Sequence, residues 1–566
     1  MKTGSSRACL GGLAILTAVF VASGWGHWGT GVYGDHALDL VDALRFHRGE
    51  IPYHDFLPTY GALSMVLVAP LFSFGNYFFT VCWLLTAACV AIQIFLLVRI
   101  VSSRISAPWL CLFAFMLVSC IAFAPVNGKW MMGYSPSGYF ATILWTILIL
   151  LLWKSPVSSG RWFPAGLVLG LLLFTKIDMG IAACLVLIAL SIAGLRSGIS
   201  IALRLMAGFL VAWSAVIGAL MAYGARVDLL SGSTLETFGQ AGIFGDATLK
   251  SRMIVLGILG MVFCAGFVIP QTRSRMIQVT RSLEGWLPWI LPGALAIDAV
   301  RGWNPDSLKQ SVAMGYVYVM VWGIIAAHLL ATLVRRKSLG IFRFRQWPLW
   351  VVLMTVSGIA ILRVSVTGWY PLNYSQPALL LIMIFWFARR GMRASGLWKV
   401  CVVVALGMQI ATSLKQNAQV QASFVKVETP FGRVPLRMNE NDARNLDSIL
   451  ALLRSAGPDS SLLCTYEPSL HLLTGLRCAE FYTYFNRLGF TGRYQEDREI
   501  RSLALLQSRK PLFIVAERER ATFSRYFGND FAHDINDWIQ KNYRVVYESP
   551  PGVLRSTVVY KAGKAP

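Results

Sequence analysis

Apolar runs of helix length, separated by short polar loops, fill the first 414 residues. A helix needs about 20 apolar residues to cross a hydrocarbon core, fewer where neighbours cover it. Thirteen segments are read as spans on this basis: 9–27, 77–98, 107–125, 136–153, 163–176, 179–195, 205–223, 250–270, 286–300, 311–334, 347–366, 374–389 and 397–414. Lys2 and Arg7 before the first run give it the look of a signal peptide. No small-residue cleavage site follows, so it reads as an uncleaved first helix. The odd number of spans puts the C-terminal region across the membrane from the N-terminus. Residues 61–75 are apolar but short, and Pro70 interrupts them. They read as a helix lying in the outer interface.

Beyond residue 414 the pattern changes. Residues 440–456 carry Leu446, Ile449, Leu450 and Leu453 at helical spacing, and 497–509 is amphipathic again. Residues 461–466 and 511–517 are short apolar runs near prolines, as buried strands are. Residues 542–549 and 553–561 read as a closing hairpin. The expected fold is therefore mainly α: a polytopic membrane domain of about thirteen helices over 1–414, then a small extracytoplasmic α/β domain over 415–566. No internal repeat or low-complexity run is visible.

Composition narrows the classes. Hydrophobic residues make up 56 % and charged residues 14 %, against about a quarter charged in soluble proteins. Mean hydropathy is +0.57. A soluble enzyme, a disordered chain and a fibre are excluded. The net charge of +23 would suggest nucleic acid in a soluble protein, but its distribution does not. Residues 1–414 hold 30 basic against 12 acidic residues, a balance of +18; residues 415–566 hold 21 against 16, a balance of +5. With these spans, 20 of the 30 basic residues fall in inner loops. That is the positive-inside pattern, and no nucleic-acid partner is expected. Of the 12 acids only Glu284 lies inside, which marks the outer face as a working surface. None of the ten cysteines forms a CxxC; Cys464 and Cys478, in the soluble region, could pair in an oxidising compartment.

The first outer loop is the richest segment. Asp35 to Arg48 fits a helix closed by Gly49. Ala37, Leu40, Val41 and Leu44 form its apolar stripe, and Asp35, Asp39 and Asp42 lie at i, i+4 and i+7 on another face. Like charges at that spacing weaken a helix slightly, so a cation, a basic neighbour or a helix N-terminus should offset them. The residues alone leave open a solvated face, a general base or a metal ligand. His54 and Asp55 follow a Pro-Tyr turn and could join such a site.

An early Asp after the first helix, a short helix, then G-x-x-PY-x-DF and an apolar interfacial helix ending in Phe-Gly resembles the GT-C glycosyltransferases. The pieces are Asp35, Gly49, Pro52, Tyr53, Asp55, Phe56, Tyr60, Gly61 and Phe74-Gly75. The Gly-rich stretch 165–180, ending in Lys176 and Asp178, is similar to a second family element, and 461–485 to a third in the periplasmic domain of some bacterial members. The second outer loop, 124–137, departs from the pattern: it carries Lys129 and no acid. The resemblance implies an inverting enzyme in a bacterial inner membrane, N-terminus cytoplasmic and C-terminal domain periplasmic. It would move a sugar from a polyprenyl-phosphate donor to a lipid, glycan or protein acceptor. Asp35 would be the general base. Asp39, His54, Asp55, Tyr60, Lys129, Lys176, Asp178 and Arg363 would bind substrate, with Arg301 a further candidate for the phosphate. A divalent cation is possible, on Asp35 and Asp55 if anywhere. Cations beside a leaving lipid phosphate, and a carboxylate beside an acceptor hydroxyl, are what such a displacement requires.

Two other classes compete. A transporter or lipid-linked glycan flippase commonly shows paired repeats and charges deep in the membrane; neither is seen here. An O-antigen ligase or polymerase would be expected to place one large loop between late helices, whereas here the soluble part is terminal.

Overall fold

The structure, a computed structural model, describes residues 35–102, 136–153, 159–226, 269–303, 396–481, 495–517 and 532–563, except 176, 198, 423, 458, 466, 551–552 and 554–555, together with the isolated residues 265, 323, 352, 353 and 355. The expected spans 9–27, 107–125 and 374–389 lie outside the described residues, as do all but isolated positions of 250–270, 311–334 and 347–366.

Helix α1 (Asp35–His47) ends where Gly49 takes a φ of +84°, a left-handed turn that glycine adopts without steric cost. The expected interfacial helix is two pieces: α2 (Ala62–Val68), then a 3-10 stretch (Ala69–Tyr77) entered at Pro70. Gly75, at φ +52°, makes a kink, and α3 (Phe78–Ser102) follows. Next come α4 (Pro136–Trp153), α5 (Trp162–Leu172), α6 (Ile177–Ser197) and α7 (Ile199–Ala222). Helices α5 and α7 approach backbone to backbone. A methyl group on Gly166 would sit 2.0 Å from the Leu205 oxygen, and one on Gly208 would sit 2.1 Å from the Phe163 oxygen. Small residues four apart on both helices, Gly166 with Gly170 and Gly208 with Ala212, permit this approach.

Residues 271–285 differ from expectation. They were expected to form an inner loop, but they are helical within α8 (Pro270–Trp303), which continues through Pro288 and Pro292. The stretch from Gln271 to Glu284 contains no glycine or proline to stop a helix. Helix α9 (Gly396–Ala422) runs past residue 414 toward the soluble domain.

Among the described residues, three helical stretches are long and apolar enough to cross a membrane: Ala62–Ile100, Pro136–Trp153 and Ile199–Ala222. The first and third expose large apolar side chains, including Leu84, Ile92 and Phe95 on α3 and Leu203, Leu210 and Trp213 on α7. Lipid removes the cost of hydrating such a surface, so these helices belong in a bilayer.

The soluble part opens with a hairpin, β1 (Phe424–Thr429) and β2 (Gly432–Arg437). It continues through α10 (Glu440–Arg454), β3 (Ser461–Cys464), α11 (Ser469–Thr474), β4 (Arg477–Cys478), α12 (Gln495–Arg509), β5 (Phe513–Glu517), α13 (His533–Asn542), β6 (Tyr543–Glu548) and β7 (Thr557–Ala562). The sheet order is β4-β3-β5-β7-β6. β4, β3 and β5 are parallel; β7 and β6 run antiparallel to their neighbours. Alternation along the strands sorts the two faces. Leu463 and Ile514 pack with Leu506 of α12 and with Ile535 and Ile539 of α13. Leu462, Cys464, Phe513 and Val515 face a larger core shared with α10, α11 and α1. Cys464 and Cys478 are both buried and form no disulfide with each other, and burial pushes the Cys478 thiol up, so it stays protonated at neutral pH.

Candidate functional site at the first loop

Helix α1 spends its polar residues one after another on different partners. Asp39 is 2 % exposed. One of its oxygens accepts from the Ser64 hydroxyl at 2.9 Å, the other from the Ser137 amide at 3.0 Å. Ser137 is the second residue of α4, so the carboxylate meets the positive end of that helix. Asp42, equally buried, accepts from the Thr59 amide at 2.7 Å. Arg45 pairs with Glu50 at 2.8 Å, lies 4.4 Å over the Phe56 ring and donates to the Asp55 carbonyl at 3.4 Å. Arg48 donates to the Gly475 carbonyl of the soluble domain at 2.5 Å. The returning chain thus runs back along α1, with Asp55 near Arg45, Thr59 at Asp42 and Ser64 at Asp39. Asp39 and Asp42 are thus buried and bonded rather than solvated.

The turn that starts this return is tightly held. The Tyr53 amide donates to the Phe56 carbonyl at 2.7 Å, and Tyr53 sits at φ +60°, uncommon for a side chain of its size. One Asp55 oxygen accepts from the Ile51 amide at 2.7 Å, and the other lies 2.8 Å from His54 Nδ1. Partial burial would raise the Asp55 carboxyl, but the Ile51 amide, His54 and Arg509 outweigh it and hold the group below the usual carboxylate range. Arg509 of α12 donates to the Asp55 carbonyl at 3.3 Å, and the Leu57 amide donates to the Phe481 carbonyl at 2.9 Å. The soluble domain therefore grips the loop that packs on α1.

At the other end of α1, two of the sequence elements meet. The Gly61 amide donates to the Thr175 carbonyl at 3.0 Å and the Leu63 amide to the Phe174 carbonyl at 2.9 Å. A methyl group on Gly61 would sit 2.0 Å from the Phe174 oxygen, so only glycine permits this approach. Residues 173–175 form the turn between α5 and α6, immediately before Lys176 and Asp178. Asp39, Ser64, Gly61 and Thr175 thus make one continuous set of contacts beneath the start of α1, where Asp35 is the first residue.

Tyr60, partly buried, precedes Gly61 at this junction. Asp178 is the second residue of α6. Its side chain and those of Asp35 and Arg301 lie outside the described residues, as do Lys129, Lys176 and Arg363 entirely. His54 and Asp55 are brought to the opposite end of α1 from Asp35, beside Arg45. Both Asp55 oxygens are engaged within its own turn. Among the described residues no group of three or more His, Cys, Asp or Glu is placed to hold a metal ion.

Sequence reasoning missed Ser64 and Ser137, whose only signal is being polar in or beside apolar helices. It also missed Arg45, Arg48 and Arg509, which look like ordinary surface charges.

No family model matches the chain, and no curated protein does. Among solved structures it is similar to an oligosaccharyltransferase from Archaeoglobus fulgidus in complex with zinc and sulfate, at 10 % identity and a TM-score of 0.45, over 97 % of this chain and 73 % of that one. It is also similar to ArnT from Cupriavidus metallidurans bound to undecaprenyl phosphate, and to the same protein in the apo state. Each comparison has 12 % identity and a TM-score of 0.42, over 96 % of this chain and 97 % of that one.

Proposed function

We propose that the chain is a GT-C-type glycosyltransferase of a bacterial inner membrane, with a membrane catalytic domain over 1–414 and a periplasmic domain over 415–566. It moves a sugar from a polyprenyl-phosphate donor to an extracytoplasmic lipid, glycan or protein acceptor, with inversion. Asp35 takes the acceptor hydroxyl proton as the acceptor oxygen bonds to the anomeric carbon. The bond from that carbon to the phosphate oxygen breaks, and polyprenyl phosphate leaves with the electron pair. Lys176 stabilises the growing phosphate charge, with Lys129, Arg301 and Arg363 as further candidates for the same task. Such chemistry belongs at an interface, because the donor lipid stays in the bilayer while the acceptor group is polar.

One observation carries the reading. The Gly61–Thr175 contact folds the first-loop motif, with Tyr60, against the turn that precedes Lys176 and Asp178, next to the end of α1 that begins with Asp35. The test measures free polyprenyl phosphate released from a panel of labelled polyprenyl-phosphate sugars, using purified wild type and Asp35→Asn with and without chelator. Release from one donor by wild type, lost in Asp35→Asn, is expected. Wild type that neither turns over nor binds any donor sinks the reading.

A further inference from the structure

The turn at residues 51–56 holds a half-exposed imidazole in a fixed pose. His54 is 48 % exposed, and its Nδ1 lies 2.8 Å from Asp55. Asp55 is itself fixed three times: by the Ile51 amide on its second oxygen, and by Arg45 and Arg509 on its carbonyl. The Tyr53 carbonyl accepts from the Arg226 amide at 3.3 Å, which ties the turn to the chain just beyond α7. A backbone at φ +60°, held from the first loop, the end of α7 and the soluble domain together, is a constraint that a plain surface turn does not need. Such over-determined strain clusters at working sites.

We infer that His54 is an acceptor-binding residue. Its Nε2 receives a hydrogen bond from a hydroxyl of a neutral glycan acceptor, at a subsite where the first outer loop meets the soluble domain. The inference rests on the glycosyl-transfer reading above. The chemistry selects the ligand. An ionised Asp55 only accepts, so the Nδ1 of a neutral ring carries the proton and Nε2 presents a lone pair. That lone pair suits an O–H donor. A phosphate gains little here, because the Asp55 carboxylate at 2.8 Å offsets any positive charge on the ring. Position selects the acceptor over the transferred sugar. Asp35 and Arg45 are ten residues apart on α1, about 15 Å along its axis, and Arg45 contacts Asp55. A group at that distance from the proposed base touches a part of the acceptor remote from the reacting hydroxyl.

The test needs no turnover. The full chain, in a detergent without a sugar headgroup, is labelled with diethyl pyrocarbonate, and modification at His54 is followed by mass spectrometry. Exposed His533 serves as the internal control. The probes are maltotetraose, chitotetraose and inorganic phosphate. At least one oligosaccharide is expected to slow labelling of His54 and not of His533, with no effect of phosphate. His54→Asn keeps an amide where Nδ1 meets Asp55 and removes Nε2. It should weaken binding of the protecting oligosaccharide about fivefold, the worth of one neutral hydrogen bond, without changing thermal stability. Undiminished labelling with both oligosaccharides, or equal protection by phosphate, overturns the inference. Protection in a chain that neither turns over nor binds any donor removes the transferase reading and leaves a glycan-binding surface. Release without protection removes this inference alone.

Discussion

Helices α1 and α10 pack against one shared core, and both repeat acidic residues among leucines. On α10 the pattern has its ordinary meaning. Ile449, Leu450 and Leu453 are buried, Asp447 is exposed, and Glu440 reaches Arg444 in an exposed pair at 3.4 Å that is worth little. On α1, Asp39 and Asp42 are buried as deeply as the leucines, and each is hydrogen-bonded to another segment. The spacing of charges on a helix therefore does not say whether they meet water. What differs is the supply of donors: α1 has the start of α4 and the returning loop against its acidic face, whereas the acids of α10 look outward.

The sharpest way to break this arrangement is Gly61→Ala. Its methyl group would meet the backbone at Phe174, which has no rotamer to yield. We expect a loss of about 3 kcal/mol and of donor turnover together, read by thermal unfolding in detergent and by polyprenyl phosphate release. Asp39→Ala should follow at about 2–3 kcal/mol, because it takes the buried carboxylate away from the Ser137 amide and leaves the Ser64 hydroxyl only the Gly61 carbonyl. Asp39→Asn, which can still bond both partners, should recover most of that stability. Asn as damaging as Ala would show that the charge itself, and not the hydrogen bonds, is what α1 requires.

The third test uses pH. Burial, reinforced by nearby Arg45, lowers the His471 imidazole to about 3. The unfolded chain takes up this proton as pH falls through about 6.5, whereas the folded chain holds it off until about 3. The contribution of neutral His471 is therefore fully present above pH 6.5 and shrinks as pH falls toward 3. About 2 kcal/mol should be gone by pH 5. Unfolding at pH 7.5 and pH 5 checks this, and an equal fall in His471→Gln would count against it. Arg48→Ala removes the bond to Gly475 and should cost about 1 kcal/mol. Asp447→Ala on α10 should change stability by less than about 0.5 kcal/mol. An Asp447 effect as large as that of Asp39 would erase the contrast between the two helices.

Much of this fold is legible in local pattern. Gly49 closes α1, the chain turns at 173–175 between α5 and α6, and the strands at 461–464 and 513–517 and helices α10 and α12 lie where apolar spacing puts them. The elements that were missed are short or weakly marked: the paired strands β1 and β2 have six residues each, β4 two, α11 six and α13 ten. The charged stretch within α8 was misread as a loop because polarity was taken for irregularity, although nothing in it stops a helix. At the site, the sequence singled out Asp39, Tyr60 and the Lys176–Asp178 stretch separately. It did not reveal that Asp39 meets α4, or that Tyr60 and Gly61 meet the turn at 173–175.

Periodicity, breakers and the bias of basic residues act over a few residues to one span, which is why membrane character, most described helices and the acid-rich first loop can be read from the linear chain. The fate of a carboxylate depends on which donor lies within about 3 Å of it. Those donors come from positions 98 residues away for Asp39 and 454 residues away for the Asp55 carbonyl. No local pattern encodes such meetings; they follow from packing Gly61 on Phe174 and the soluble sheet on α1. That packing, rather than the spacing of the acids, separates the Asp35 end of the helix from the His54 end.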